Sequence, residues 1–98
     1  MLTSKQRANL RSLANDMETI LQVGKEGIGP ALLKQVDDAL TAREMIKIRV
    51  LNNQELSARQ IADSISSELD CDVVNVIGTR IILYRRNAKK AAYDAYLS

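Results

Sequence analysis

The apolar residues of this chain change their spacing along its length, from the three- and four-residue steps of a helix to the two-residue step of a strand. In residues 10–17 the apolar positions lie three or four apart, which is typical of one buried helix face. In residues 45–51 apolar and basic residues alternate, which is typical of a strand with one buried and one polar face. Because both patterns recur within 98 residues, the chain predicts one domain that combines helices with a sheet.

Applied to the whole chain, these patterns predict the order α-β-α-β-α-β-β. Helices are expected over residues 4–15, 30–44 and 58–69, and strands over residues 19–23, 45–51, 72–77 and 80–85. The connections that hold the second and third helices are long enough for parallel crossovers, and Gly78 with Thr79 suits a type II′ hairpin turn. The expected fold is α/β (α+β), a two-layer domain with one mixed four-stranded sheet. Where the first helix packs stays open, and the tail from residue 87 is expected to be weakly helical or frayed.

Three short signals predict where the helices begin. Thr3 with Gln6 and Ser57 with Gln60 each have the spacing of a capping box, in which the two residues bond each other's backbone N–H groups. Pro30 suits the first position of a helix, because the N–H that proline lacks has no partner there.

The composition excludes several classes of function. The chain has no histidine and a single cysteine, Cys71, so the commonest general base, an internal disulfide and a thiolate zinc site are all missing. No phosphate-binding Walker loop or dinucleotide fingerprint occurs. We therefore expect no enzyme, no cofactor and no metal, and we expect Cys71 to be a small apolar filler. No apolar run approaches the roughly 20 residues that cross a bilayer, so we expect a cytoplasmic monomer with no membrane partner.

The net charge of +2 is unevenly distributed. Residues 1–15 carry three basic residues and residues 77–93 carry five, with no acid in either stretch, whereas residues 16–76 hold 6 basic and 11 acidic residues. If the two basic stretches share a face, they predict a polyanion as partner; basic termini are also common as solvated tails. The candidate contacts are Lys5, Arg7, Arg11, Arg80, Arg85 and Arg86.

Residues 24–27, with the sequence Gly-Lys-Glu-Gly, lie between a predicted strand and a predicted helix. Gly24 and Gly27 permit a sharp turn and close approach of a ligand, and the following helix start attracts anions. Lys25 adds a positive charge, whereas Glu26 would repel a phosphate unless it points away. Two glycines in such a connection can also serve the turn alone. A G-x-x-G loop of this kind clamps the nucleic-acid backbone in KH domains, so the loop is a candidate RNA-binding site.

The basic stretch near the end of the chain holds one aromatic residue, Tyr84. Its ring is able to stack on a base or to cover the edge of the core, and we favour the core. Because the chain has three tyrosines and no phenylalanine or tryptophan, we expect phosphate contacts and RNA shape to matter more than base stacking.

Four segments together resemble the YhbY-like CRM-domain family, which is named for chloroplast RNA splicing and ribosome maturation. They are LTSKQRANLRSLA, ILQVGKEGIG, LLKQVDDALTAREMIKIRVL and VVNVIGTRIILYRR, within residues 2–86. The resemblance implies a fold like the C-terminal domain of translation initiation factor three. It also implies that Gly24, Lys25 and Gly27 match the family's RNA-binding loop, in which Glu26 replaces a neutral or basic residue. Stand-alone bacterial members are expected to act on precursors of the large ribosomal subunit.

The leading hypothesis is therefore a single RNA-binding domain, residues 1–98, that binds ribosomal RNA and assists ribosome assembly. Its surface would combine the loop 24–27 with the basic first helix and last strand. One alternative is a protein-interaction module, in which the acidic middle of the chain or the face bearing Lys47 and Arg49 docks on a ribosomal protein. Another is a binder of other structured RNA.

Overall fold

The computed structural model describes residues 2–24, 27–51, 57–89 and 91–97. Its helices and strands follow the predicted order, and each boundary lies within one residue of the predicted one. The helices are α1 (Ser4–Ala14), α2 (Pro30–Arg43) and α3 (Ala58–Leu69), and the strands are β1 (Thr19–Val23), β2 (Met45–Val50), β3 (Asp72–Ile77) and β4 (Arg80–Tyr84).

The four strands form one mixed sheet in the order β1-β2-β4-β3. β1 pairs with β2 in parallel, and β4 pairs antiparallel with both β2 and β3. The β4 strand therefore lies between two strands that run parallel to each other, as the two predicted crossovers require. The hairpin between β3 and β4 turns at Gly78, whose φ of 57° is positive, as a type II′ turn requires of its first central residue.

The helices begin where the capping signals predict. In both capping boxes the side chain of the cap residue accepts a bond from the glutamine N–H, and the glutamine side chain accepts one in return. Gly29 precedes α2, and Pro30 takes the first turn. At its other end α2 stops one residue earlier than predicted, because Glu44 has a φ of 65° and cannot continue a right-handed helix.

The main core lies between one face of the sheet and the helices α2 and α3. The apolar stripes of α2 and α3 both reach it. Val36, Leu40, Ile61, Ala62 and Ile65 are buried, and Leu32, Leu33, Ala39, Ala58 and Leu69 are partly buried beside them. Facing them from the sheet are Val23, Ile46, Ile48, Val50, Ile81 and Leu83. Cys71 lies in the same cluster at 8% exposure, which confirms its predicted role as an apolar filler.

The helix α1 packs on the opposite face of the sheet. Leu10 and Ala14 are buried there against Met45, Ile82 and Tyr84. Tyr84 is only 2% exposed, so its predicted place in the core is confirmed.

The prediction of a polar face on β2 was wrong for Lys47, which is 8% exposed. Lys47 lies beside Met45 and pairs with Ile82, on the part of the sheet that α1 covers.

The end of the chain docks on α1. The side chain of Gln6 donates to the carbonyl of Leu97, and that of Asn9 donates to the carbonyl of Tyr96, both at 2.9 Å. The Tyr93 ring packs edge-on against the Tyr84 ring, with 6.1 Å between the ring centroids. Of the two predicted states of the tail, weakly helical or frayed, the structure shows the first, as a short 3-10 turn (Asp94–Tyr96). Its docking on α1 was not predicted.

Candidate nucleic-acid interface

The loop 24–27 lies at one end of the sheet, which we call the loop end. Here the N–H of Leu51 donates to the carbonyl of Val23, the residue that precedes the loop, at 3.1 Å. At the same end Val50 N–H donates to the carbonyl of Thr79 at 2.7 Å, in the hairpin turn between β3 and β4. The carboxyl ends of β1 and β2, the hairpin turn and the start of α2 therefore meet at one edge of the molecule.

The two glycines of the loop close a tight turn. Gly27 N–H donates to the carbonyl of Gly24 at 3.0 Å, and Gly27 has a φ of 70°, a conformation that favours glycine. A Cβ atom at Gly24 would meet nothing within 4 Å, so the fold leaves open space on that side of the backbone. Lys25 and Glu26, the two predicted site residues between the glycines, lie outside the described residues.

The start of α2 follows directly after this turn. Its cap residue is Gly29, which offers no side-chain oxygen, and no side-chain bond caps the helix. Pro30 contributes no N–H of its own. The first turn of α2 thus carries the positive end of the helix dipole, and it holds no acidic residue of its own.

Arg80 lies at the loop end and has a neighbour that the sequence did not identify as an RNA contact. The register places Arg80 directly opposite Arg49, and both side chains are exposed. The row continues to Gln22 on one side and to Ile77 on the other. We call the part of the sheet that carries this row, left uncovered by α1, the open half of the sheet.

Arg85, the second predicted contact in this segment, is turned into the protein. Its Nη1 atom donates to Asp37 Oδ1 at 2.7 Å and to the carbonyl of Leu69 at 3.0 Å. Its Nη2 atom donates to the Asp37 carbonyl and to the Thr41 hydroxyl. The guanidinium therefore joins the residue after β4 to α2 and to the end of α3, and both of its Nη atoms bind protein groups.

Arg86 is exposed but lies at the end of the sheet opposite the loop. Its guanidinium binds the Asp94 carboxylate with two hydrogen bonds, at 2.8 and 3.0 Å. This pairing lowers the pKa of the Asp94 carboxyl and raises the pKa of Arg86. The predicted union of Arg80, Arg85 and Arg86 in one surface is therefore wrong, because only Arg80 shares the loop end.

The basic residues of α1 lie near the edge strand β3. Arg7 Nε donates to the Val73 carbonyl at 3.2 Å, while Lys5 and Arg11 are exposed. Arg7 and Arg11 line a cavity of about 420 Å³ together with Arg59 of α3. The same cavity also contains the carboxylates of Asp63 and Asp72, so its charge is mixed.

Two features that the described residues lack limit the chemistry of the site. Among them there is no group of three or more side chains with the ligand types of a metal site. None of the described helices is both long and apolar enough to cross a membrane. The loop end combines exposed arginines with a helix start that no described side chain caps, and this arrangement is suited to binding anionic groups through charge and backbone N–H donors.

Comparison with known proteins bears on the identity of the domain. The sequence model described as the CRS1 / YhbY (CRM) domain matches residues 2–85. A protein of Bacillus subtilis (strain 168), named "Probable RNA-binding protein YqeI", is 40% identical over 87 residues, which are 89% of this chain and 91% of that protein. A probable RNA-binding protein of Methanocaldococcus jannaschii is 36% identical over 86% of this chain and 63% of its own length.

A solved structure is similar as well. The solution structure of the Staphylococcus aureus protein SAV1595 superposes with a TM-score of 0.78 at 42% identity. The match covers 89% of this chain and 91% of that one. The sequence resemblance and the expected fold are both confirmed.

Proposed function

The chain belongs to the CRS1 / YhbY (CRM) domain family, and from this membership and the geometry we propose that it is a non-catalytic RNA-binding protein. Its proposed ligand is ribosomal RNA, in precursors of the large ribosomal subunit whose assembly it assists in the cytoplasm. The names of its bacterial and archaeal relatives support RNA as the ligand class. The observation that carries the proposal is the placement of the Gly24–Gly27 turn beside the exposed Arg49 and Arg80.

The proposed mode of binding follows from the chemistry of the loop end. A phosphate approaches the turn on the side where Gly24 has no Cβ and where open space surrounds the backbone. The uncapped start of α2 attracts its charge, and Lys25 adds a cation from within the loop. Arg80 and Arg49 bind neighbouring phosphates, so that RNA binding releases counterions and weakens as salt rises.

The contribution of the loop end is tested by a matched pair of substitutions. Arg80→Glu and Arg86→Glu make the same charge reversal at exposed residues of one chain segment, but at opposite ends of the sheet. We expect Arg80→Glu to weaken binding to a ribosomal RNA fragment by roughly tenfold, and Arg86→Glu to change it by less than about twofold. Lys25→Glu is expected to resemble Arg80→Glu and to reduce the salt dependence. Equal losses in the Arg80 and Arg86 variants would contradict a site at the loop end.

The cellular role is tested by sedimentation of the tagged protein through a sucrose gradient. Co-migration with large-subunit precursors, reversed by high salt, is the expected result. Migration only at the top of the gradient would contradict a role in assembly. Pulldown of ribosomal proteins that survives complete nuclease digestion would favour a protein-interaction module instead.

A further inference from the structure

We infer that the open half of the sheet binds the phosphates of double-helical RNA, an inference that rests on the proposed function. Four side chains form its central row: Gln22, Arg49, Arg80 and Ile77, one from each strand. All four are exposed, and Ile77 has 52% of its surface accessible. The other helices, α2 and α3, cover the opposite face, so this half is a flat surface bounded by α1 and the loop end.

The two arginines of the row carry a charge that no described residue neutralises with an ion pair. Arg49 and Arg80 are directly opposite on antiparallel strands, which places their Cα atoms about 4.5–5.5 Å apart. Like charges in this position destabilise a sheet. Within the described part of the chain neither guanidinium has an ion-pair partner, and none of the four row residues is acidic. A polyanion on this surface would relieve the repulsion.

The aromatic residues lie elsewhere. Sheet surfaces that read single-stranded RNA stack unpaired bases on exposed rings. Here Tyr84 is buried at 2% exposure, and Tyr93 packs against it. Tyr96 belongs to the tail that docks on α1, and the chain has no phenylalanine or tryptophan. The open half offers cations and the amide of Gln22, which suit the phosphates and 2′-hydroxyls that an A-form helix displays.

The test compares two RNAs of equal length and base composition, a hairpin with one turn of A-form stem and a strand that does not pair. Binding to the full chain is measured at two salt concentrations. We expect the hairpin to bind at least about tenfold more tightly. Arg49→Gln and Arg80→Gln should each weaken hairpin binding roughly three- to tenfold and lower the salt slope by about one, with Arg86→Gln as the unaffected control.

The variant Arg49→Lys keeps the positive charge but removes the planar guanidinium. It therefore distinguishes a contact with a phosphate from stacking of the guanidinium on a base. Because lysine binds phosphate as a point charge but lacks the planar group, Arg49→Lys should retain hairpin affinity within about threefold. Circular dichroism and denaturation confirm that each variant is folded. The inference is overturned if the unpaired strand binds as tightly as the hairpin, if Arg49→Lys loses as much affinity as Arg49→Gln, or if both glutamine variants bind the hairpin normally. In each of these cases RNA binding as a function still stands, although normal binding by both glutamine variants would also remove Arg49 and Arg80 from the proposed mode of binding. Failure to bind either RNA or ribosomal RNA would instead contradict the proposed function.

Discussion

Gly24 and Gly27 belong to one turn, but the backbone requires glycine at only one of them. Gly27 has a φ of 70°, in the left-handed region where an L side chain costs roughly 1–2 kcal/mol. Gly24 has no positive φ, and a Cβ there meets nothing within 4 Å. Packing among the described residues therefore does not require glycine at position 24, whereas the proposed function does, because it brings RNA close to the backbone there.

This difference predicts opposite results for two alanine substitutions. Gly27→Ala should lower the free energy of unfolding by about 1 kcal/mol, because alanine is strained at that φ. Gly24→Ala should leave stability unchanged or raise it by up to about 1 kcal/mol, since alanine reduces the freedom of the unfolded chain. The same Gly24→Ala variant should bind RNA several-fold more weakly. Chemical denaturation and RNA titration check the two effects, and full RNA affinity in Gly24→Ala would remove this position from the site.

Cys71 shows how burial changes the chemistry of a side chain. Burial raises the pKa of its thiol from 9.0 to about 11, while the nearby Arg85 acts in the opposite direction. The unfolded chain loses the thiol proton near pH 9 and the folded chain retains it until about pH 11. The stabilisation is therefore complete below pH 9 and is lost as the pH rises through 11.

We expect the free energy of unfolding to fall between pH 9 and pH 11, and Cys71→Ala to make that fall shallower. The comparison concerns the slope, because the substitution also removes buried atoms and lowers stability at every pH. Part of the slope should remain in the variant, since burial and the nearby Glu44 also raise the pKa of Tyr84. Denaturation curves at several pH values measure both slopes, and identical slopes would contradict the raised pKa of Cys71.

At the scale of elements, two adjacent arginines after β4 have different roles. Arg85 binds groups on α2 and at the end of α3, and its side chain is 24% exposed. Arg86 forms one ion pair with Asp94 in which both side chains are about half exposed. Surface pairs of the second kind contribute little, whereas removal of a group with several partly buried partners leaves those partners unsatisfied.

Arg85→Gln should therefore lower the free energy of unfolding by about 2 kcal/mol, and Arg86→Gln by less than about 0.5 kcal/mol. Urea denaturation of the two variants measures the difference directly. If Arg85→Gln were as stable as the original chain and bound RNA more weakly, the sequence-based assignment of Arg85 to the RNA surface would be restored.

The sequence pattern could have predicted that the Arg85 side chain points toward the core. Alternation along the last strand places Arg85 on the same side as Ile81 and Leu83, and that side is the main core face. The periodicity thus predicted each helix and strand to within one residue. The periodicity did not reveal that Arg49 lies opposite Arg80. That pairing requires β4 to lie between β2 and β3, and the spacing of residues along the chain does not determine the order of strands in a sheet.

The position of α1 was the other feature that periodicity left open. An amphipathic helix packs on any apolar surface that remains uncovered, and both faces of the sheet offer one. Its docking on the face opposite α2 and α3 decides which basic residues are neighbours. Of the three arginines predicted for the composite surface in the last strand, the structure places only Arg80 beside the loop, and Arg85 and Arg86 lie away from it.

At the scale of the whole molecule, the two ends of the sheet differ in what they contribute. At the end away from the loop, α1 and the docked tail cover the sheet, and buried contacts such as that of Tyr84 with Tyr93 hold them there. At the loop end the sheet is open, and exposed cations face solvent without partners in the described part of the chain. On this face of the sheet the buried contacts lie at the first end, and the proposed binding lies at the second.

This division predicts that a substitution in the docked tail changes stability without changing RNA binding. Tyr93→Ala removes the edge-on ring contact with Tyr84 and part of the cover over the α1 cluster. We expect the free energy of unfolding to fall by about 1–2 kcal/mol, and the affinity for ribosomal RNA to change by less than about twofold. Tyr93→Leu, which keeps apolar cover, should recover part of the stability. A large loss of RNA affinity in a folded Tyr93 variant would show that the tail belongs to the RNA surface, and the separation of a structural end from a binding end would then be wrong.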